Sequence, residues 1–426
     1  MGRIVFRGAQ LLNGHGAPRP GTTVVVQGER IAEIGPDAGV APAPGDRVIE
    51  LSGRTLMPGM FSCHFHASFD GATLDVFPLG IDRPPGYLML RAARSARTAL
   101  ECGFTSVVGA GGGDDIDAQL ALAIEDGLVP GPRITAGSRN FGTTSGYIDL
   151  ASWWWSLGNT GACRIADGAE AFRAATREEI RRGAQVIKLF VTGGHGNLNT
   201  ARREFARDEI EAVVETAHAR GARVRAHCAW KRPILECIEL GVDILDHADE
   251  MDEECIDAMA RAGTSLAPSA LYLEKLLALP ELRTPRHAPV IAASERELDN
   301  LLRRVPEAHA AGVNVVVGDD YGTVLLPHGT YAEELEFWVK RAGVRPLDVI
   351  RWATRNGAAL VGRGHELGRV AEGMLADLLV VDGDPSSDIG VLRDASRLLA
   401  ILKGGVFAKD CLDHGRDPSP GPGPRG

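Results

Sequence analysis

The feature that most constrains the fold of this chain is a regular alternation of short apolar runs with helical patterns through its middle. Eight runs read as strands, at 55–66, 104–110, 133–137, 185–192, 222–228, 242–247, 264–268 and 313–320. Between most of them lie segments with helical spacing of apolar residues, such as 208–220 and 251–262. Apolar strands separated by helices imply a parallel sheet, because a parallel crossover needs about the length of a helix. Eight such units over roughly 300 residues fit a closed (β/α)8 TIM-like barrel better than an open sheet. The expected class is α/β.

The ends of the chain read differently. Ile4-Val5-Phe6, the β-branched run 22–26 and the alternating run 30–34 are short strands, with a turn at Gly28-Glu29. Near the other end, 376–382 is a strand, and 399–402 and 406–407 form a hairpin across Gly404-Gly405. The expected organisation is a small β-sandwich domain built from 1–56 and 370–412, around a barrel at 57–369. The run 413–426 is rich in proline and glycine and has nothing to build a core from.

Composition excludes several classes. Hydrophobic residues are 44% and charged residues 24%, as in soluble globular proteins. The net charge is −10 with no long run of like charge, which argues against nucleic acid or an anionic membrane as partner. No apolar stretch approaches the roughly 18 residues of a membrane span. The N-terminal residues lack a secretory apolar segment, and seven scattered cysteines do not read as a disulfide framework. Both point to a reducing cytoplasm. Gly109-Ala110-Gly111-Gly112-Gly113 follows a strand but lacks the spacing of a dinucleotide site.

The polar residues within the apolar runs carry the chemistry. His64 and His66 end the first run, Lys188 lies inside the fourth, and His227, His247 and Asp320 end the fifth, sixth and eighth. Reactive groups of such barrels sit at the C-terminal ends of the strands. His64 and His66 are two apart, so on a strand both face the same way. A lone histidine at a strand end is ordinarily a hydrogen-bonded polar group, and a lysine in an apolar strand can be an ion-pair partner or reach out to solvent. Six such residues in this order are a different matter: imidazoles plus a carboxylate can complete two metal shells. A buried ammonium beside two cations would be repelled. A neutral amine that has added CO2 becomes a carbamate, an anionic ligand able to reach both metals.

These segments resemble the amidohydrolase superfamily, in particular its imidazolonepropionase-like and Xaa-Pro or Xaa-Arg dipeptidase branch. The similarity spans nearly the whole chain. It rests on the segments 57–66, 183–194, 243–247, 318–322, 327–329 with 333–336, 353–358 and 372–378. The resemblance implies that His64, His66 and Asp320 bind one divalent metal and His227 and His247 a second, with carboxylated Lys188 bridging. Zinc suits the histidine-rich shell. It implies a hydroxide shared by the metals as nucleophile, with Asp320 moving its proton to the leaving nitrogen.

The chain also departs from the family pattern. Ser62 stands for the usual aspartate, and Asp319 for a threonine, where it could accept a hydrogen bond from a ligand histidine. Tyr147 takes the place of a carbonyl-polarising histidine, and Ala229 that of a substrate-binding tyrosine. Trp153, Trp154, Trp155 and Trp230 offer an aromatic pocket or lid, or else pack on the barrel rim or a subunit interface. His195 and His328 are placed to contact a polar substrate terminus, and Arg139 to pair with a carboxylate. The expected reaction is hydrolysis of an amide or amidine C–N bond in a peptide-like, partly aromatic substrate, by a homo-oligomer. The rivals are a single-metal deaminase or cyclic-amide hydrolase, an ordinary Xaa-Pro dipeptidase, and a catalytically silent binding protein on the same scaffold.

Overall fold

The computed structural model describes residues 2–71, 83–149, 161, 163–196 and 203–412. Among these the chain is an α/β protein, with two parallel sheets in its middle and a β-rich unit drawn from both ends.

In the terminal unit, strand Ile4–Leu11 pairs antiparallel with Arg19–Gln27 on one edge. Its other edge is shared between two parallel partners, Arg47–Glu50 along the first half and Thr55–Pro58 at the end. Leu378–Val381 then pairs antiparallel with Thr55–Pro58, and Leu398–Lys403 and Val406–Asp410 extend the sheet. The expectation was a sandwich. Hydrogen bonds instead run unbroken through all eight strands, because Thr55–Pro58 joins the two ends of the chain in one sheet. The sheet curls back on itself: a bridge joins Arg30, in the edge strand Arg30–Pro36, to Leu375. Phe6, Leu11, Val24, Leu56, Leu378 and Leu402 fill the inside of the curl.

The run expected as one strand at 55–66 divides at Gly59. Thr55–Pro58 belongs to the terminal sheet, while Met60–Phe65 opens the parallel one. A Cβ at Gly59 would lie 2.1 Å from Thr105 Oγ1, so the crossing needs glycine. Met60–Phe65 pairs with Phe104–Gly109, which pairs with Arg133–Thr135. A second sheet runs Cys163–Ile165, Gly137–Gly142, Val186–Phe190, Arg223–Cys228, Ile244–His247, Ser265–Ala267. Gly137–Gly142 and Cys163–Ile165 extend beyond the expected strands. The run 313–320 forms no regular ladder. It makes isolated bonds instead, Val316 N–H to Leu266 O at 2.9 Å and Cys63 N–H to Val317 O at 2.8 Å. Gly318, at φ +146°, bends the backbone there, and a Cβ on it would lie 2.2 Å from His64 N.

The helices pack their apolar faces on these sheets. Glu253–Ala262 shows the local logic. Asp252 caps it by accepting from Cys255 N–H, Glu253 and Glu254 fill the first turn, Arg261 the last, and Gly263 ends it at φ +77°. Cys255, Ile256 and Met259 form its buried stripe. Among the described residues no helix is long and apolar enough to cross a membrane. All seven cysteines carry free thiols.

Candidate metal centre

The C-terminal ends of the parallel strands converge on one buried cluster. His64 Nε2 lies 3.0 Å and His66 Nε2 3.4 Å from the same oxygen of Asp320, Oδ1. The His64 ring centre is 5.4 Å from that of His247, which is 4.4 Å from His227. His66 is held by its other nitrogen, since Gly111 O faces Nδ1 at 2.8 Å. A carbonyl accepts only, so Nδ1 carries the proton and Nε2 presents its lone pair toward the cluster.

Strand register explains the depth of Lys188. Phe190 pairs with His227, while Lys188 pairs with Arg225, two residues nearer the start of the strands. Lys188 therefore starts about 6.6 Å below the histidine layer. Its long side chain spans that gap.

His247 breaks the rule of alternation. Asp246 and His247 are consecutive, yet both reach the cluster: Asp246 contacts Lys188 and Arg225, and His247 stacks on His195 at 3.9 Å. A regular strand would send one of them outward. His247 instead adopts φ +71°, followed by Ala248 at +53°. Left-handed backbone at non-glycine residues costs on the order of 1 kcal/mol or more, and such strain collects at functional sites.

Burial governs the charges. It pulls the His64 imidazole down to about 4 against the opposing pull of Asp246 and Asp320. His227 and His247 are lowered well below the ordinary value by burial and then by neighbouring cations. All three are thus neutral near pH 7, the form that donates a lone pair. His195 differs. Burial disfavours its charged form, but Asp249, then Asp320 and Asp319, lift it to about 9.

Two observations test whether these residues fit metal ions. Among the described residues, His227 Nε2 and His247 Nδ1 are buried without a hydrogen-bond partner, an expensive arrangement unless a ligand completes it. His64, His247 and Asp320 also bring one ligand atom each within 4.8 Å of one another. Neutral imidazoles with a carboxylate are the donor set of zinc and similar divalent ions. The residues fit.

The other sequence candidates divide. Tyr147 lies beside the cluster, its ring 6.4 Å from that of His227 and 6.1 Å from Phe190. His195 is beside the cluster but buried. Trp230 is half-buried ahead of helix Lys231–Glu239. Trp153, Trp154 and Trp155 fall outside the described residues. Arg139 is not a substrate clamp: it is buried against Glu179, which accepts from its Nε at 2.9 Å and from its backbone N–H at 3.0 Å. His328 is not free for a substrate terminus either. Its Nδ1 meets Tyr331 Oη at 2.8 Å and its Nε2 meets Phe69 O at 3.1 Å, so it ties two loops together. Asp319 receives backbone N–H groups, from Asp320 at 2.8 Å and Tyr272 at 3.1 Å, in place of the expected histidine N–H.

Sequence reasoning also missed participants. Asp246 accepts from Lys188 Nζ at 2.6 Å and from Arg225 Nε at 3.0 Å. Arg225 is fully buried and also donates to Cys63 O and Gly109 O, so with Asp246 it ties its own strand to three others. Two charged residues inside apolar strands, Arg225 and Asp246, were the available signal. Asp249 and Tyr272 gave none, because both lie past strand ends in ordinary loop and helix sequence.

The chain is similar to known proteins over most of its length. Residues 55–407 match the model of the amidohydrolase family. An ochratoxinase from Aspergillus niger is 30% identical over 430 residues, covering 95% of this chain and 86% of the relative. An imidazolonepropionase from Rubrobacter xylanophilus is 24% identical, covering 90% of each. A prolidase solved with N-methylphosphonate-L-proline superposes with a TM-score of 0.85 at 29% identity, covering 96% of this chain and 100% of that one. The match over most of its length, with the histidines and the aspartate gathered at its strand ends, makes this chain a hydrolytic enzyme of the amidohydrolase family.

Proposed function

We propose that this enzyme is a binuclear metal-dependent hydrolase that cleaves an amide C–N bond in a peptide-like substrate. The observation that carries the reading is the pair of orphaned buried nitrogens, His227 Nε2 and His247 Nδ1, beside the His64–His66–Asp320 group. The strands would close into a (β/α)8 barrel, with 313–320 as the eighth. The bonds from Leu266 to Val316 and from Val317 to Cys63 support this, since they link the last parallel strand to the first.

His64, His66 and Asp320 would hold one ion and His227 and His247 the other. Lys188, as a carbamate, would reach both. Divalent ions there, zinc by the donor set, would acidify a water and polarise the scissile carbonyl. The protein's own part is proton handling and orientation. Among the described residues Asp320 is the only carboxylate touching both first-strand histidines, so it takes up the proton and delivers it to the leaving nitrogen. The Tyr147 phenol, above His227, would donate to the carbonyl oxygen as charge develops. Ala229, where relatives carry a tyrosine, would set which side chain the substrate can present there. Ochratoxinase and prolidase relatives support hydrolysis of an amide in a small or peptide-like molecule.

One observation favours a second reading. With Lys188 held by Asp246 as an ammonium, the donors His64, His247 and Asp320 suffice for a single ion, as in a mononuclear deaminase. The experiment that tests the proposal assays zinc-loaded enzyme on free dipeptides, N-acylated aromatic amino acids and cyclic amidines. Hydrolysis of acylated or peptide amides is expected. Turnover of cyclic amidines alone would replace it with the second reading.

A further inference from the structure

We propose that His195, Asp319 and Asp320 form an additional divalent-cation position flanking the metal pair, so that the loaded site holds three ions. The inference rests on the binuclear reading above. The three residues bring one ligand atom each within 4.8 Å of one another, in a second group that shares only Asp320 with His64 and His247. Ligand atoms on a tetrahedral zinc lie about 3.4 Å apart, given bonds of about 2.0–2.1 Å, so small side-chain adjustments close the group on an ion.

His195 is wired as a metal-ligating histidine is. Its Nδ1 is engaged by Asp249 Oδ1 at 3.0 Å, while Nε2 is buried without a partner. A carboxylate behind one ring nitrogen fixes the tautomer and makes the other nitrogen a better donor to a cation. The same wiring, with a carbonyl in place of the carboxylate, orients His66 through Gly111 O. The backbone at His195 holds φ +60°, a conformation that a residue with no task in the site would not be expected to keep.

Asp319 is prepared in the same way. It is fully buried, and each of its oxygens accepts one backbone N–H, from Asp320 and from Tyr272. A carboxylate oxygen can accept a second partner, so both remain available to an ion. Two adjacent buried carboxylates call for positive charge, and without a bound ion the charged form of His195 is what faces them. Lys188 does not serve, since Asp246 holds it. An ion shared by Asp319, Asp320 and His195 Nε2 would take over that role, displacing the proton from the imidazole.

The test is a crystal of the full-length enzyme soaked in Co2+ and measured at the cobalt edge, paired with the metal content of protein dialysed against Zn2+. Three anomalous peaks and about three zinc per chain are expected, one peak within bonding distance of both His195 and Asp319. Asp319→Asn and His195→Gln should each lose that peak and one equivalent while keeping the other two. Two variants guard against one that fails to fold, and the wild-type map needs neither. Two peaks in the wild type, with Asp319→Asn unchanged, would overturn the inference and leave the binuclear reading standing. One peak or none, with no density between His195 and Asp319, would overturn both.

Discussion

Lys188 Nζ lies 2.6 Å from Asp246 Oδ2, with both side chains fully buried. The lysine therefore has a partner before any CO2 reaches it, and the proposed carbamate would have to form in competition with that ion pair. Burial, and then the charge of Arg225, lower the lysine's proton affinity against the pull of Asp246, which favours the neutral amine that CO2 requires. Lys188→Ala should lose most bound zinc and at least two orders of magnitude in turnover. Short carboxylic acids should restore part of both by filling the cavity with an anionic oxygen ligand. Lys188→Arg should not respond, because its guanidinium stays charged and fills the space. Full activity in Lys188→Ala without additive would assign the lysine to Asp246 alone.

Asp320 touches both first-strand histidines, His64 and His66, through the one oxygen Oδ1. Asp320→Asn should keep the fold and part of the metal. It should lose on the order of 10²–10⁴-fold in kcat, the usual worth of a positioned acid–base group. The measurement is kcat and KM beside zinc content. Near-normal kcat would move the proton role to another group, with Asp319 the first candidate.

The cluster was legible in the sequence because its members end strands, and strand ends are set by periodicity. His64 and His66 share a face as their spacing required, and His227 and His247 follow from the apolar runs before them. What was not legible came from long side chains. Arg139 and His328 fall near the site by chain position, yet each turns toward a partner distant in sequence, Glu179 and Phe69 O. Periodicity gives the face of a strand but not which acid an arginine will find. His247 shows the limit from the other side. Alternation assigns the inward face to either Asp246 or His247, and only the positive φ at His247 brings both inside. The terminal sheet was visible as strands, but its single hydrogen-bonded order depends on pairings more than 300 residues apart.

Arg139 gives a prediction that separates structure from substrate binding. Glu179 is almost fully buried and depends on Arg139 for its counter-charge. Arg139→Ala strands that carboxylate, a loss of about 3–5 kcal/mol. Urea unfolding should show a lower midpoint, while KM for the best substrate stays within about twofold of wild type. A KM rise of tenfold or more, with stability intact, would return Arg139 to the substrate.

Asp117 gives a pH signature. Burial lifts its carboxyl to about 6, opposed by the Gly137 N–H that it accepts. A carboxyl whose folded value is raised is held less well as pH rises through the window from about 4 to 6. The cost is absent below pH 4 and complete above 6, at about 3 kcal/mol for a shift of this size. Asp117→Asn keeps an oxygen for Gly137 and cannot ionise. In chelated protein it should match wild type at pH 4 and be the more stable at pH 7. The check is urea denaturation at both values. Equal stability at pH 7 would mean that Asp117 is not penalised by its burial.

Substrate choice should lie in Tyr147 and Ala229, because the metal ligands treat any carbonyl alike. Tyr147 stands above His227, with its backbone N–H fixed by Glu204 at 2.8 Å, so the ring is held by more than stacking. Its phenol is a neutral donor, whose contribution should grow as negative charge builds on the carbonyl oxygen. Tyr147→Phe should therefore lower kcat by about 10–10³-fold, with the upper figure that of an oxyanion donor. KM should change little. Ala229 is buried, and its N–H donates to Thr192 Oγ1 at 3.0 Å, so a larger side chain there would intrude on whatever lies beside it. Ala229→Tyr should favour small dipeptides over N-acylated aromatic substrates by at least tenfold in kcat/KM. The two variants act on different quantities, a rate and a selectivity, and the same substrate panel reads both. If free dipeptides are the best substrates of the wild type and neither variant shifts the ranking, the enzyme is an ordinary dipeptidase, and Ala229 plays no part in its specificity.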